Sequence, residues 1–246
     1  METELLLFFS LLFVVAFLYA SVGHGGASGY LALMAIFAIS PLVMKPTALL
    51  LNLFVSSVSF FQFYRGRHFR WKIFWPFVVT SIPFSFLGGT MAIESNVYKK
   101  ILGVLLVIPV VRFFFFPNAD PKDQKTSNLP LSLLIGAIIG LLSGMIGIGG
   151  GIILSPILIL LKWTDQKQTA AISAAFIFVN SVAGLAGQLI KGISFTTDMF
   201  FYVVVAFVGG IAGAYFGSLK LPQTALKYVL AFVLAIASYK LLLTTA

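Results

Sequence analysis

The sequence predicts an all-α polytopic membrane protein built from two inverted repeats of five apolar segments each. Of its 246 residues, 60% are hydrophobic and 9% are charged, whereas about a quarter of the residues in a soluble domain are charged. Apolar runs of about 20 residues, long enough to span a bilayer as helices, follow one another along the chain. The chain also aligns with itself at an offset of 124 residues, since Gly23 falls on Gly147.

The N-terminal repeat, residues 1–116, contains the first five segments. The first, "LLLFFSLLFVVAFLYA", is apolar on every side, which favours a helix over an alternating barrel strand. It has no basic region before it and no small-residue cleavage site close behind it, so we expect a membrane helix rather than a signal peptide. The five segments lie near 4–22, 27–40, 46–64, 72–93 and 98–116.

A polar linker, residues 117–130, separates this half from the C-terminal repeat, residues 131–246. At the offset of 124 residues the identities cluster at the glycines and in the third segments, where Phe54, Val55, Ser57 and Val58 recur. The segments of the second half lie near 131–147, 152–162, 168–190, 198–219 and 224–243.

Loop charges predict the orientation. The most basic loop, "YRGRHFRWK" at 64–72, is expected in the cytoplasm, because Lys and Arg accumulate on that side. The linker follows two crossings later and is therefore also predicted to be cytoplasmic. Five segments per half is an odd number, so the halves are predicted to be inverted, with both termini outside. The net charge of +9 is then topology-setting loop charge, and we expect a lipid bilayer rather than nucleic acid as the partner.

Two glycine-rich breaks, "GHGGASG" at 23–29 and "GIGGG" at 147–151, each precede a short segment. Short, interrupted segments at matching positions of inverted halves are typical of secondary transporters. A half-helix that begins at such a break points its free N–H groups and positive dipole end at the break, which favours an anion. Close helix packing through small residues is the alternative. The candidate binding residues in the breaks are Gly23, His24, Gly25, Gly26, Gly147, Gly149, Gly150 and Gly151.

The parity of crossings leaves open whether 4–40 and 131–162 cross fully or re-enter the membrane.

Polar side chains on the third segment of each half are the other candidate binding residues. Asn52, Ser56 and Ser59 share one helical face, and so do Ser173, Asn180, Gly184 and Gln188. Uncharged amide and hydroxyl donors suit a partly desolvated oxyanion, while hydrogen bonding between helices is the alternative role. The candidate donors are Asn52, Ser56, Asn180 and Ser181.

The seven acidic residues all lie at segment ends or in loops, so we expect no proton relay or cation site built on carboxylates. His24 is the one histidine within a break; it is a candidate anion ligand or proton sensor, or a neutral hydrogen-bonded histidine. The chain has no cysteine and no Walker A loop, and we expect neither a cofactor nor a bound metal. The acidic residues are Glu2, Glu4, Glu94, Asp120, Asp123, Asp165 and Asp198.

One stretch points to a different class of protein. "GGASG" resembles the GxSG segment of rhomboid intramembrane proteases, which would make Ser28 a nucleophile. Such a serine needs a base within hydrogen-bond reach. The available histidines are His24, four residues away, and His68, in the basic loop, and the late helix that supplies the rhomboid base is missing. A membrane protein without transport activity, either an assembly partner or such a protease, remains the alternative.

The two glycine regions resemble the signature regions of the sulfite exporter TauE/SafE family. They are "GHGGASGYLALMAIFAISPLVMKPTALLLNLFVSSVSFF" and "GLLSGMIGIGGGIILSPILIL" with the following "KQTAAISAAFIFVNSVAGLAG". The resemblance implies an exporter of sulfite or a related small sulfur-containing anion in the bacterial inner membrane. The first region departs from the repeated motif, because it lacks a third consecutive glycine and contains His24. Which sulfur anion is carried, the direction, the coupling ion and the oligomeric state are left open.

Overall fold

The computed structural model describes residues 2–21, 26–115, 124–193, 195–217 and 223–243. Across these residues the chain forms ten α-helices and no strand, which confirms the all-α prediction. The helices are α1 (Glu2–Ser21), α2 (Ala27–Ile36), α3 (Pro41–Arg65), α4 (Trp71–Thr90), α5 (Ser95–Phe115), α6 (Leu129–Ile146), α7 (Gly151–Leu160), α8 (Gln166–Ile190), α9 (Thr197–Gly217) and α10 (Gln223–Leu243).

The helix bounds repeat at the offset found in the sequence. Moved by 124 residues, α2 coincides with α7 at both ends, and α3 differs from α8 by one residue. The packing repeats as well: α4 lies on α6 as α1 lies on α9, and α2 contacts α10 as α5 contacts α7. Helices of one half therefore pack between helices of the other. The boundaries of the two repeats and their inverted orientation stay predictions.

The outer surface of the protein is that of a multi-pass membrane protein. Among the described helices, α3, α4, α6 and α8 are long and apolar enough to cross a bilayer. Large apolar side chains cover the outside, which in water would be an aggregation-prone surface. Polar groups lie inside instead, with Asn52, Ser56 and Asn180 fully buried. Side chains that are more than half exposed include Leu6, Phe61, Val79, Leu134 and Phe200.

The long helices run between two poles. At the vestibule pole, helices α3, α5 and α9 begin and α4 and α8 end around one cavity, which extends inward to Met145 near the end of α6 and is also lined by Pro41, Gly89, Ser95, Lys191 and Thr196. At the linker pole, α6 and α8 begin and α7 ends. There the backbone N–H of Lys125 donates to the Lys162 carbonyl at 2.7 Å, and Gln124 Nε2 donates to Asp165 Oδ2 at 3.4 Å.

Helix α3 begins five residues before its predicted segment. Ser40 caps it by accepting from the N–H of Leu42, and Pro41 occupies the first turn, where its missing N–H costs little. Pro46, the first residue of the predicted segment, lies inside the helix. The added residues, a little more than one turn, carry Lys45 into the apolar part of the molecule.

Candidate functional site

Both predicted breaks separate two helices, and glycines in left-handed backbone conformations form the junctions. In the second break Gly147 ends α6 with φ +90°, and Gly149 and Gly150 have φ +69° and +77° before α7 begins. Gly26 precedes α2 in the same way, with φ +80°. Side chains disfavour these φ values, which explains the choice of glycine. The candidates Gly23, His24 and Gly25 lie outside the described residues.

Helix α7 begins at the middle of the molecule. Gly149 lies against Asn52, the twelfth residue of the 25-residue α3, and Gly151 lies against Ile177, the twelfth residue of the 25-residue α8. From there α7 runs to the linker pole, where the Lys162 carbonyl accepts from Lys125. Its ten residues span about 15 Å, half of a hydrocarbon core of roughly 30 Å.

Helix α2 begins at the same place and runs the other way. Its carboxyl end lies near Pro41 at the vestibule pole, where the Ile36 carbonyl accepts from Lys240 Nζ at 2.6 Å. Its first turn and the second break share one cavity of about 10 Å³. That volume holds about one water molecule, so the central point is closed in this conformation. The cavity is lined by Tyr19, Gly26, Ala27, Ser28, Ile148, Ile152 and Ile177.

Polar side chains without partners lie beside the second break. Asn52 Nδ2 is 2.9 Å, and Ser181 Oγ 3.3 Å, from the position that a Cβ on Gly149 would occupy. Both residues are fully buried. Neither the Asn52 amide nor the Ser181 hydroxyl has a hydrogen-bond partner in the part of the chain that the structure describes. Buried polar groups are normally paired, so these two donors are available to bind an acceptor such as an anion.

Two further candidates are buried near the middle of the long helices. Ser56 Oγ has no partner among the described residues. Asn180 Nδ2 donates to the Phe176 carbonyl of its own helix at 2.8 Å, which leaves its Oδ1 as the unpaired atom. The backbone carbonyl of Asn180 accepts from Ser85 Oγ at 2.8 Å, and this bond joins α8 to α4. Asn180 therefore has a structural role in addition to any binding role.

Some predicted residues are placed for packing. Gly147 faces α3, where its Cβ would stand 2.8 Å from the Lys45 carbonyl. Gly150 faces side chains, since its Cβ would stand 2.7 Å from Ile139 and 2.8 Å from Phe176. Both glycines shape the break rather than reach the unpaired donors. The Ser173 hydroxyl pairs with that of Ser155 at 2.8 Å, which is the interhelical role given as the alternative.

Ser28 has a partner of its own at the start of α2. It is 1% exposed, and its Oγ lies 2.7 Å from the Tyr19 hydroxyl. A tyrosine in a buried pair is a poor general base compared with histidine. His68 follows the carboxyl end of α3, whereas Ser28 lies at the middle of the molecule. Among the described residues the hydrogen-bond partner of Ser28 is therefore a tyrosine and not a histidine.

Comparison with known families agrees with this architecture. The family model described as Sulfite exporter TauE/SafE matches residues 8–241, nearly the whole chain. The chain belongs to the sulfite exporter TauE/SafE family. Membership confirms the resemblance of the two glycine regions and places the protein among membrane transporters.

Relatives of this TauE/SafE chain carry transporter names without a stated substrate. It is 36% identical to the probable membrane transporter protein y4hK of Sinorhizobium fredii, over 98% of this chain and 100% of that protein. It is 29% identical to the probable membrane transporter protein MJ0441 of Methanocaldococcus jannaschii, over 77% and 75%. The probable membrane transporter protein YjnA of Bacillus subtilis is 24% identical, over 94% and 96%. No solved structure matches the chain.

The sequence reasoning missed one functional candidate of this TauE/SafE protein, Lys45. Its Nζ donates to the carbonyls of Gly88 and Gly89, both at 3.3 Å, at the carboxyl end of α4. The sequence contained a signal for Lys45, because an ionisable residue within an apolar helix is a functional candidate by default.

Gln188 was predicted on the same helical face as Asn180. It lies further along α8, at the vestibule pole, where Lys45 and Lys191 also line the cavity.

Proposed function

We propose that the protein is a secondary transporter that binds sulfite, or a related small sulfur-containing anion, near the bilayer midplane and exports it across the bacterial inner membrane. One observation carries the proposal. The first turns of α2 and α7 line a single central cavity, and the unpaired donors of Asn52 and Ser181 flank the break that leads into α7.

The chemistry of such a point favours an anion. The first intrahelical bonds of α7 run from Ile153 and Leu154 to the Gly150 carbonyl, so the N–H groups of Gly151 and Ile152 precede the bonded ladder. Two helix N-termini add partial positive charge without a titrating cation. Amide and hydroxyl groups would complete the coordination by donating hydrogen bonds to the anion. A hydrogen bond from a neutral donor to a charged acceptor is stronger than one between two neutral groups.

The proposed binding residues come from both halves. The described members either line the central cavity, hold an unpaired polar atom or form the breaks. Gly23 and Gly25 are assigned by the sequence repeat, which places them opposite Gly147 and Gly149, and His24 is assigned as the titratable group between them. The proposed set is Gly23, His24, Gly25, Gly26, Asn52, Ser56, Gly147, Gly149, Gly150, Gly151, Asn180 and Ser181.

The closed centre fits one state of an alternating-access cycle. A space for about one water cannot hold sulfite, so binding requires the halves to move apart at the breaks. The larger cavity at the vestibule pole, of about 420 Å³, is lined in part by Lys45, whose carbonyl lies against Gly147. With the 64–72 loop in the cytoplasm, this vestibule faces outward.

Counterflow tests the transport claim. Purified protein is reconstituted in proteoliposomes loaded with unlabelled sulfite under anaerobic conditions, and dilute ³⁵S-sulfite is added outside. A secondary transporter accumulates the label transiently above equilibrium, and liposomes without protein do not. Equal label in both preparations, with the protein folded as judged by its helical circular dichroism, would contradict transport of sulfite and favour a membrane protein without that activity.

A further inference from the structure

The cavity at the vestibule pole is large, and most of its wall is apolar. Its volume of about 420 Å³ falls in the range of small-molecule sites. The central cavity, by contrast, has room for about one water. Five methionine and isoleucine residues line it, contributed by the loop after α4, by α6, by the loop before α9 and by α9: Met91, Ile93, Met145, Ile193 and Met199.

Two cations face this cavity from different elements. Lys45 comes from the second turn of α3 and Lys191 from the end of α8, and their like charges repel each other. None of the described residues that line the cavity is Asp or Glu. Glu94 and Asp198 are neighbours in sequence of lining residues, but both are exposed and stand outside the lining. The cavity therefore has a net positive wall with no internal counter-charge.

A buried amide supplies a third polar contact. Gln188 lines the cavity, is 3% exposed, and its Nε2 has no hydrogen-bond partner among the described residues. Lys45 Nζ is held at the cavity edge by the carbonyls of Gly88 and Gly89, at 3.3 Å each, and of Met91, at 3.5 Å. An unpaired donor in a cavity that two cations also line is an arrangement that an oxyanion satisfies.

We propose that the vestibule is a second anion site, which takes an organic anion with an oxyanion head and a short apolar body. The head lies between Lys45 and Lys191 and accepts from Gln188 Nε2, while the body lies on the apolar wall. The site is distinct from the central one, because Gln188 and Ser181 stand seven residues apart on α8, about 10 Å along the helix.

The absence of cysteine from the chain makes a direct test simple. Thr196, exposed at the cavity wall, is changed to cysteine. The full-length protein in detergent is then treated with thiosulfonate reagents that carry a sulfonate or a trimethylammonium group. With each rate divided by the rate of the same reagent with a free thiol in the same buffer, we expect the anionic reagent to be favoured at least threefold at low ionic strength. The ratio should fall towards one in 0.5 M salt, where the Debye length is only a few ångströms.

Protection identifies the ligand class. Propane-1-sulfonate and butyrate should both slow the labelling of Thr196→Cys, and sulfate should protect less, because each buried methylene adds about fourfold in affinity. If propane-1-sulfonate protects and butyrate does not, the vestibule selects a sulfonate head group, which supports a narrower form of the proposal. Equal protection by sulfate would overturn the apolar-body part, and no protection by any of the three would overturn the site.

Matched variants separate this site from general surface charge. Lys191→Gln, in an exposed loop, should reduce protection by propane-1-sulfonate at least fivefold, and Lys45→Gln should do the same if its helix-capping role survives the change. Lys72→Gln, an exposed lysine at the other end of α4, should leave protection unchanged. Unchanged protection in Lys191→Gln would overturn the proposal. Since labelling needs no transport, the result does not depend on whether sulfite is carried.

Discussion

At the scale of single residues, Gly149 combines two requirements that only glycine meets. Its φ of +69° lies in the left-handed region, and a Cβ there would stand 2.8 Å from Ile177 and 2.9 Å from the Asn52 amide. The first requirement is one of backbone conformation, and the second is one of access to the proposed anion. A second glycine, Gly192, has φ +75° but nothing within 4 Å of its Cβ position. A substitution there tests the backbone requirement without the requirement for access.

We predict that Gly149→Ala abolishes the thermal stabilisation that sulfite gives to the purified protein. Alanine at either position must adopt the left-handed conformation, which costs about 1–2 kcal/mol. Gly149→Ala and Gly192→Ala should therefore both lose that amount of stability without ligand. Only Gly149→Ala places a methyl group between the break and Asn52. Thermal-shift titration measures both effects. Normal sulfite stabilisation in folded Gly149→Ala would make the break a packing device.

We predict that Asn52→Leu weakens sulfite binding about tenfold without destabilising the ligand-free protein. A hydrogen bond to a charged ligand contributes about 1.5–3 kcal/mol, and 1.4 kcal/mol is tenfold in affinity. Without ligand the amide is buried and unpaired, so an apolar side chain of similar size removes an unfavourable burial. The exposed Asn96→Leu serves as the control. An unfolded or strongly destabilised Asn52→Leu protein would mean that the amide has a structural partner.

The candidate residues show how far helical periodicity reaches. It placed Asn52 with Ser56 on one face of α3 and Asn180 with Gln188 on one face of α8, and all four residues are buried. It could not separate Asn52 at the centre from Gln188 at the vestibule, because spacing on one helix says which face is buried and not which neighbours meet it at each depth. Lys45 was missed because the apolar segment was taken to begin after it.

At the scale of elements, the glycines of α6 let two helices of different halves come together. Gly136, Gly140 and Gly144 recur every fourth residue, and each faces backbone atoms of α4. A Cβ at Gly140 would strike the backbone of Ser81, which cannot rotate away as a side chain can. Such small-residue stripes allow close backbone approach in membrane helices.

We predict that Gly140→Ala lowers the stability of the protein by more than 2 kcal/mol, because α4 and α6 must separate to admit the methyl group. Gly210→Ala is the matched control. It is also a helical glycine, but its Cβ would meet only the Val55 side chain, at 3.3 Å or more, so the gain in helix propensity of up to about 1 kcal/mol should offset the contact. Thermal unfolding in detergent compares the two. Equal stabilities would contradict the tight α4–α6 contact.

The shortness of α2 and α7 was predictable, and their directions were not. Glycine-rich breaks followed by short apolar runs, near 27–40 and 152–162, indicated segments short for a full span, and the structure has ten residues in each helix. That α2 runs to the vestibule pole and α7 to the linker pole depends on contacts such as Lys240 with Ile36. Those residues are 204 positions apart, and pairings at such separations leave no local signal in one sequence.

At the scale of the whole molecule, the odd number of segments per half predicts that the basic loop and the linker share one side of the membrane. We predict that single cysteines at Arg67 and Lys122 are both shielded from an impermeant thiol reagent in intact cells and both labelled after lysis. Lys122 lies outside the described residues. A cysteine at Leu42, 83% exposed at the vestibule pole, should be labelled in intact cells. Labelling of Arg67→Cys and Lys122→Cys from opposite sides would contradict the inverted topology.

The central claim is that one anion lies between the amino ends of α2 and α7, and an anion-bound structure tests it most directly. Selenite is an electron-dense analogue of sulfite, and its selenium can be located by anomalous scattering in crystals of the full chain. The account predicts a selenium peak within hydrogen-bond reach of the first turns of both helices and of Asn52, with the halves moved apart. A peak confined to the vestibule between Lys45 and Lys191, with the centre still closed at saturating selenite, would contradict it.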